Sequence, residues 1–440
     1  MVDNKIFTGS PAHPFSPVSE IFSRGNRGFQ TYRWILDNGL TVLFLENHVL
    51  PVVSIEAFVN AGERYIPDEK AGLAVLTGRL LEEGTTSRSA LEIAQAIESV
   101  GGNLQTQSRG VSAQVLAKDM TLALDLVADM LIHPIFDQKC FEKERQRLLG
   151  MLAGDDDNPS LVAYNLFHEM VYGSHPYHRP QKGYKETVQK LTQADLIAYY
   201  PTYFVPNNTI LAIVGDVAPT EVIAQVQRYF GAWTPRALPP QSIFEIPQPV
   251  GCITQQIYKE KEQTHLYLGH PGITRTNPDY YTLLTMDHIL GTGPGFTDRI
   301  SRKLRDEQGL AYTVYATITL SASSEPGTFL AYIGTSQENM NLAIEGFLEE
   351  MRKIRAEQVS PEELELAKNY LTGSYVFHFE TSTQLAQYLI HTERFQLGED
   401  FLWKYPQLIQ SVTVDDILRV AQQYLHPENY YTAIVGAFPG

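Results

Sequence analysis

Residues 413–436 of the chain read TVDDILRVAQQYLHPENYYTAIVG, and residues 192–215 read TQADLIAYYPTYFVPNNTILAIVG. The two stretches are offset by 221 residues (413 minus 192), and each passes from an initial Thr through a Pro-x-Asn turn to a final Ala-Ile-Val-Gly. Each stretch predicts a helix, a turn and a strand in that order. Upstream, Leu122-Ala123-Leu124 matches Leu342-Ala343-Ile344 at an offset of 220. The sequence therefore predicts two α+β domains of like topology.

A proline-rich segment separates the two copies. Residues 233–250 contain five prolines, which are Pro235, Pro239, Pro240, Pro247 and Pro249. We interpret this segment as an interdomain linker between domains at 31–232 and 251–440. Residues 1–30 are polar and rich in Pro, Gly and Ser, which predicts an irregular N-terminal arm.

Local patterns in the first domain alternate between strand and helix. Asp37-Asn38-Gly39 is a strong turn signal that predicts a hairpin over Trp34–Glu46. The alternation of apolar and polar residues over Pro51–Asn60 predicts a half-buried strand. Helices are predicted over 71–83, 89–100, 120–131 and 141–152, and a β segment over 103–117.

Composition limits the class of protein and of partner. The chain has 440 residues with 43% apolar and 19% charged side chains, which is typical of a globular protein. Its net charge of -16 argues against nucleic acid or an anionic membrane as the main partner. Two cysteines, Cys140 and Cys252, cannot build a disulfide framework or a thiolate zinc site. Without a targeting segment or apolar span, the expected location is the cytoplasm, with the periplasm left open.

Residues 71–85, AGLAVLTGRLLEEGT, carry the first functional signal. Their frame, Gly-Leu-Ala followed by Gly-Thr, resembles the metal-binding helix of the inverted-zincin peptidases, the family of pitrilysin and the mitochondrial processing peptidase. In active members this frame encloses H-x-x-E-H, with two zinc-ligand histidines and a glutamate general base. Here Val75, Gly78 and Arg79 hold those positions.

The resemblance also implies a third zinc ligand, a glutamate on a later helix with the pattern E-R-x-x-x-x-x-E. The matching stretch begins at Glu144-Arg145, but the ligand position holds Met151. Valine cannot coordinate zinc, and arginine puts a permanent positive charge where a dication would lie. We therefore expect this chain to bind no metal and no other cofactor.

Two other groups of residues could suggest a metal site. His168-Glu169 and His175-Pro176-Tyr177-His178 contain three histidines, but Pro176 interrupts any helix that would align them. We interpret them as turn and surface histidines. The charged run at Lys259–Glu262 is interpreted as a solvated surface.

In the second domain, Ile289–Phe296 forms a glycine-rich segment. It lacks the G-K-[ST] ending of a P-loop and does not open a dinucleotide-binding unit. The resemblance implies that a loop at this position faces a peptide-binding chamber. Gly291, Gly293 and Gly295 are accordingly predicted to contact substrate, because glycine permits close backbone approach.

Residues 304–312, LRDEQGLAY, resemble the family motif L-R-x-x-x-G-L-A-Y. The resemblance implies that Arg305 and Tyr312 reach the substrate beside the zinc of a closed chamber. A guanidinium fork and a phenol donor can hold a peptide carbonyl and stabilise the oxyanion. The alternative is a surface arginine and a core tyrosine. We expect a helix that ends near Gln308, a Gly309 cap and a strand over 310–316.

These patterns together favour a noncatalytic subunit of a heterodimeric zinc endopeptidase, inactive alone. The resemblance implies mainly antiparallel sheets, a homologous partner that carries H-x-x-E-H and zinc, peptide substrates, and a four-domain clamshell of which this chain is half. The family's edge-strand motif G-G-x-L-N-A is altered at Gln105 and Thr106, so substrate binding through this strand is not expected. The alternatives are an assembly protein, as in the respiratory cytochrome complex, and a peptide-binding homodimer.

Overall fold

The structure is a computed structural model that describes residues 30–240, 242 and 244–437. The predicted arm at 1–30 lies outside the described residues except for Gln30, which begins the first strand. Within the described residues, no helix combines the length and apolar character needed to cross a membrane.

The described residues of the first half form six strands and eight α-helices. The strands are β1 Gln30–Ile35, β2 Thr41–Glu46, β3 Val52–Val59, β4 Asn103–Gln107, β5 Gly110–Leu116 and β6 Thr209–Gly215. The helices are α1 Leu73–Leu80, α2 Ala90–Ser99, α3 Met120–Ile132, α4 Gln138–Asp156, α5 Pro159–Tyr172, α6 Lys185–Lys190, α7 Gln193–Tyr203 and α8 Pro219–Phe230.

The second half is likewise built of strands and helices, but it has fewer of each. Its strands are β7 Cys252–Tyr258, β8 Thr264–Pro271, β9 Val314–Thr317, β10 Thr328–Thr335 and β11 Tyr430–Gly436. Its helices are α9 Tyr280–Leu290, α10 Met340–Ala356, α11 Pro361–Ser374, α12 Ser382–Arg394, α13 Phe401–Gln410 and α14 Val414–Tyr424, with a π-helix at Ser301–Glu307.

The two sheets have the same topology. The strand order is β1-β2-β6-β3-β5-β4 in the first sheet and β7-β11-β8-β10-β9 in the second. Each sheet has one parallel pair, β2 with β6 and β7 with β11, and its other pairs are antiparallel. The second sheet differs only in lacking a counterpart of β1. The predicted α+β class, with two mainly antiparallel sheets of like topology, is confirmed.

The duplicated stretches form the same unit in each half. Residues 192–215 form α7 and β6, and residues 413–436 form α14 and β11. Both helices begin at a threonine whose backbone N–H donates to an aspartate three residues later, at 2.8 Å in Thr192 and 3.0 Å in Thr413. This reciprocal capping fixes the start of each helix and explains why Thr-x-x-Asp recurs.

Several element boundaries differ from the predicted ones. The helix predicted over 71–83 is only Leu73–Leu80, because Gly72 precedes it with a left-handed φ of 94°. Helix α4 is longer than predicted, since Asp137 caps it by accepting from two backbone N–H groups. The strand predicted over 310–316 begins only at Val314. Between 234 and 250 the described residues form no helix or strand, and the domain boundaries stay a prediction.

Each sheet is covered on one face by a helix from the other half of the chain. Helix α5 packs on β8 and β11 of the second sheet, where it buries Phe167 against Tyr267. The equivalent helix of the second half, α12, packs on β2, β3 and β6 of the first sheet, where it buries Leu385 and Ile390. Burial of these apolar faces holds the halves together.

Polar contacts reinforce this exchange of helices. Arg33 of β1 pairs with Glu393 of α12 at 2.8 Å. The Tyr172 hydroxyl of α5 donates to the Pro326 carbonyl at 3.0 Å. The first contact fixes α12 over the first sheet, and the second fixes α5 against the second half.

Candidate functional site

The residues at the predicted zinc positions meet where α1 packs on α4. Arg79 of α1 donates from Nε to Glu144 Oε2 at 2.9 Å, and its Nη2 lies 2.8 Å from the same oxygen. Its Nη1 lies 3.8 Å from Met151 Sδ. Val75, one turn earlier on α1, packs against the hydrophobic core. The structure thus brings two of the family's ligand positions, Arg79 and Met151, into contact, with Val75 one turn away on the same helix.

The negative charge in this cluster is balanced by arginine side chains of the protein itself. The Glu144 side chain is only 2% exposed and also accepts from Arg147 at 2.8 Å. Burial acts to raise the pKa of Glu144, but hydrogen bonds from Arg79 and Arg147 outweigh it and leave the pKa lowered. The carboxylate is therefore already neutralised by two arginines, and the residues present do not fit a zinc ion.

The backbone around Gly78 also leaves no room for the glutamate side chain of the family motif. A Cβ atom at Gly78 would lie 2.4 Å from the Gln107 carbonyl oxygen and 2.6 Å from Ser108 N. The turn between β4 and β5 therefore fills the space that a side chain at the glutamate position would enter. Among the described residues, no group of three or more His, Cys, Asp or Glu side chains is arranged to hold a metal ion.

The histidines of the first half have structural partners. Burial lowers the pKa of His168 to about 4, and its ring packs 4.2 Å from that of Tyr164. His175 is fully buried, and its Nδ1 accepts from the Tyr177 backbone N–H at 3.1 Å. His175 is thus a turn histidine, as expected, but it is buried rather than at the surface, and His168 lies within α5 rather than in a turn.

The residues predicted to contact substrate lie together in the second half. The Arg305 guanidinium carbon lies 3.5 Å from the ring centroid of Phe296 and 5.5 Å from that of Tyr312. Tyr312 is 80% exposed, so the alternative of a core tyrosine is wrong. Phe296, whose role the sequence reasoning missed, ends the glycine-rich segment and joins this segment to Arg305, which in turn contacts Tyr312.

Each glycine of the glycine-rich segment is required for a different physical reason. A Cβ atom at Gly291 would lie 2.5 Å from Ala316 N of β9, and one at Gly293 would lie 2.7 Å from Asp298 N. Gly295 has open space around it but adopts a left-handed φ of 65°. The first two glycines thus permit close packing, and the third permits the turn that directs Phe296 toward Arg305.

The π-helix at Ser301–Glu307 positions Arg305. Gln308 N donates to the Lys303 carbonyl at 3.1 Å, which is the i to i+5 spacing of a π turn. Leu304 of the same helix is fully buried, and Arg305 is a quarter exposed. Isolated π turns occur often at functional sites because they redirect side chains that an α-helix would place elsewhere.

Strand β4 carries the altered edge-strand motif. It lies at the edge of the first sheet and pairs with β5 on one side only, with Gln105 opposite Ser112. Thr106 contacts Glu82 of the segment that follows α1. The absence of substrate binding by this strand stays a prediction.

Family models match both halves of the chain. The model of the insulinase peptidase family M16 matches residues 41–183, and that of the M16 inactive domain matches residues 190–371. An uncharacterised zinc protease of Mycobacterium leprae is 28% identical over 418 residues, which cover 92% of each chain. An uncharacterised zinc protease of Bacillus subtilis is 25% identical over 355 residues, or 80% of this chain and 85% of its own.

Solved structures share the fold. A peptidase M16 inactive domain from Pseudomonas fluorescens has a TM-score of 0.86 at 23% identity and covers 93% of this chain and 99% of its own. A protease from Helicobacter pylori has a TM-score of 0.85 at 20% identity with the same coverage. A chain of complex III2 from Candida albicans has a TM-score of 0.76 at 15% identity and covers 92% and 95%. With its repeated sheets and with family models that match both halves, the chain belongs to the M16 peptidases, the inverted-zincin family of pitrilysin type.

Proposed function

We propose that the chain is a noncatalytic subunit of a two-chain zinc endopeptidase. A homologous partner with an intact H-x-x-E-H supplies the zinc and the general base, and this chain supplies Arg305 and Tyr312 to the partner's site. The observation that carries the proposal is a contrast within one molecule. Arg79, at one of the metal positions, is ion-paired with Glu144, whereas Arg305 and Tyr312 remain clustered and accessible.

The geometry supports a division of work among three side chains. Phe296 lies 3.5 Å from the Arg305 guanidinium carbon and holds the planar group through a cation–π contact. The guanidinium fork can then donate to a peptide carbonyl, and the exposed Tyr312 hydroxyl can donate to the oxyanion as charge develops. Zinc, bound in the partner, would activate the attacking water.

The glycine-rich segment provides the adjoining wall for peptide substrate. In this proposal Gly291 and Gly293 allow the segment to pack on Ala316 and Asp298, and the exposed Gly295 leaves the backbone before Phe296 open to a peptide. The chain's charge of -16 favours peptides over nucleic acid or an anionic membrane. We expect the pair to act in the cytoplasm.

An assembly role is the alternative. The similarity to a chain of complex III2 from Candida albicans concerns the fold alone. A scaffold has no chemical need for an exposed tyrosine beside a stacked arginine. The Arg305–Tyr312 pair therefore favours the subunit of a peptidase.

The pair's role is tested by reconstitution with the homologous H-x-x-E-H chain. Arg305→Ala and Tyr312→Phe should each lower kcat by about 100-fold or more while the heterodimer still forms, because each removes a transition-state donor. The matched control is Arg302→Ala, an exposed arginine of the same π-helix. Unchanged turnover in both variants, with the heterodimer intact, would reject the proposed role.

A second measurement tests the absence of a metal site in this chain. Elemental analysis of the purified chain should find far less than one zinc per molecule, and the chain alone should cleave no peptide. One tightly bound zinc per chain would contradict the proposal.

A further inference from the structure

A cavity of about 330 Å³ lies between the first sheet and α12. Its volume is sufficient for a small organic ligand. One wall comes from β3, β5 and the turn between β4 and β5, and the opposite wall comes from one face of α12. The polar and aromatic residues that matter here are Glu56, Phe58, Arg109, Gln387, His391 and Arg394.

Two arginines in this cavity share one aromatic ring. The Arg109 guanidinium carbon lies 4.8 Å from the ring centroid of Phe58, and that of Arg394 lies 4.2 Å from the same centroid. The two carbon atoms are therefore no farther apart than the sum of these distances. One arginine comes from each half of the chain, so the cavity exists only when α12 covers the first sheet.

Neither arginine is neutralised within the described part of the chain. No described carboxylate forms an ion pair with either guanidinium group. Arg109 Nε is buried without a hydrogen-bond partner, and Arg109 Nη2 donates only a long bond of 3.4 Å to Asn60 Oδ1. Buried N–H donors are normally satisfied, so these donors are available to a ligand.

The local field favours an anion. Burial, together with repulsion from Arg109, lowers the pKa of Arg394 to about 10. Burial likewise lowers the pKa of Arg109. A negatively charged ligand would offset the repulsion between the two guanidinium groups. It would also replace the interactions with water that each group loses on burial.

We propose that this cavity binds a carboxylate group between Arg109 and Arg394, with the Phe58 ring as its floor. Planar guanidinium forks match a carboxylate in geometry and charge. A phosphate dianion fits less well, because the net charge of -16 repels its second negative charge. The inference rests on the cavity alone and holds whether or not Arg305 and Tyr312 serve a partner.

The carboxylate has two possible carriers, a free organic acid and an acidic residue of a peptide. Gln107, the last residue of the edge strand β4, also lines the cavity. A peptide that lies along the end of β4 would pass this side of the cavity, so both carriers are tested. The experiment distinguishes these carriers.

The test uses the full chain at constant ionic strength. Thermal unfolding and calorimetry are recorded with sodium acetate, sodium succinate, inorganic phosphate, and a capped tripeptide that contains either one glutamate or one glutamine. At least one carboxylate ligand should raise the unfolding temperature saturably, by linkage to the folded state. Stabilisation by acetate or succinate identifies a free acid, and stabilisation by the glutamate peptide alone identifies a peptide residue.

Variants locate the site. Arg109→Gln and Arg394→Gln should each weaken binding at least tenfold, whereas Arg236→Gln, at an exposed position of the proline-rich segment, should not. Without ligand, Arg394→Gln should unfold at the same or a higher temperature, because it removes like-charge repulsion. A purely structural arginine would instead give a less stable chain.

Three results would overturn the inference. The first is the absence of saturable stabilisation by any carboxylate. The second is saturation by phosphate alone. The third is an equal loss of binding in Arg236→Gln, which would indicate general screening of charge rather than a site.

Discussion

Gly78→Ala tests whether the structure has room for a side chain at the position of the family's catalytic glutamate. In the interior of a helix this substitution ordinarily stabilises a protein, because alanine has the higher helix propensity by about 1 kcal/mol. At Gly78 the added Cβ would lie 2.4 Å from the Gln107 carbonyl oxygen and 2.5 Å from its carbonyl carbon. Backbone atoms cannot rotate away as the end of a flexible side chain can, so either α1 or the β4–β5 turn must move.

The expected magnitude follows from these two opposing effects. Overpacking costs about 1–3 kcal/mol, and a backbone contact belongs at the upper end of that range. After the gain in helix propensity, we expect a net loss of about 1–2 kcal/mol. For a unit of roughly 200 residues this corresponds to a decrease in Tm of about 2–8 °C.

The matched control is Gly150→Ala on α4. A Cβ atom at Gly150 would have no neighbour within 4 Å, so the same chemical change should raise stability by about 0.5–1 kcal/mol. Urea unfolding of both variants measures the difference. If Gly78→Ala stabilises the chain as much as Gly150→Ala does, then the turn leaves room at the glutamate position and the reasoning is refuted.

Three further predictions concern charge and the exchanged helices. Arg79→Met should cost about 1–3 kcal/mol, and a double-mutant cycle with Glu144→Gln should give a coupling near 1 kcal/mol; no coupling would show that the ion pair contributes nothing. Burial raises the pKa of Glu56 to about 7, so the folded state keeps a proton that the unfolded chain releases above about pH 4.5, and stability falls as pH rises from 4.5 to 7. Glu56→Gln should therefore gain up to about 3 kcal/mol relative to the wild type between pH 5 and pH 8, and parallel pH profiles from urea unfolding would contradict this. Phe167→Ala should cost about 3–5 kcal/mol and should increase hydrogen exchange in β8 of the other half, whereas an effect confined to residues of the first half would show that α5 does not support the second sheet.

The fold was largely predictable because its signals are local and occur twice. The Thr-x-x-Asp caps, the Pro-x-Asn turns and the final Ala-Ile-Val-Gly strands each specify structure over a few residues. Their repetition at an offset of 221 residues indicated two like domains. The exchange of α5 and α12 was not predictable, because the apolar pattern of a helix such as α5 does not indicate which sheet the helix will pack on.

The candidate sites were predictable to different degrees. The resemblance to the family motif singled out Arg305 and Tyr312, and the structure places them within reach of one another. Phe296 was missed because a single aromatic residue after glycines has no periodic signal. The cavity of Arg109 and Arg394 was also missed, because its two arginines are 285 residues apart in the chain (394 minus 109) and come together only through α12.

The exchange of helices has a consequence for how the chain arose and how it moves. Two copies of one unit, each giving its α5-type helix to the other, would form a domain-swapped dimer with two-fold symmetry. The single chain has the form of such a dimer with its subunits fused end to end. Its halves cannot separate without removing α5 and α12 from the sheets that they cover, because Phe167 and Leu385 are buried between the halves. Under the proposed function, an opening that admits a peptide would therefore lie between this chain and its partner rather than between the two halves of this chain.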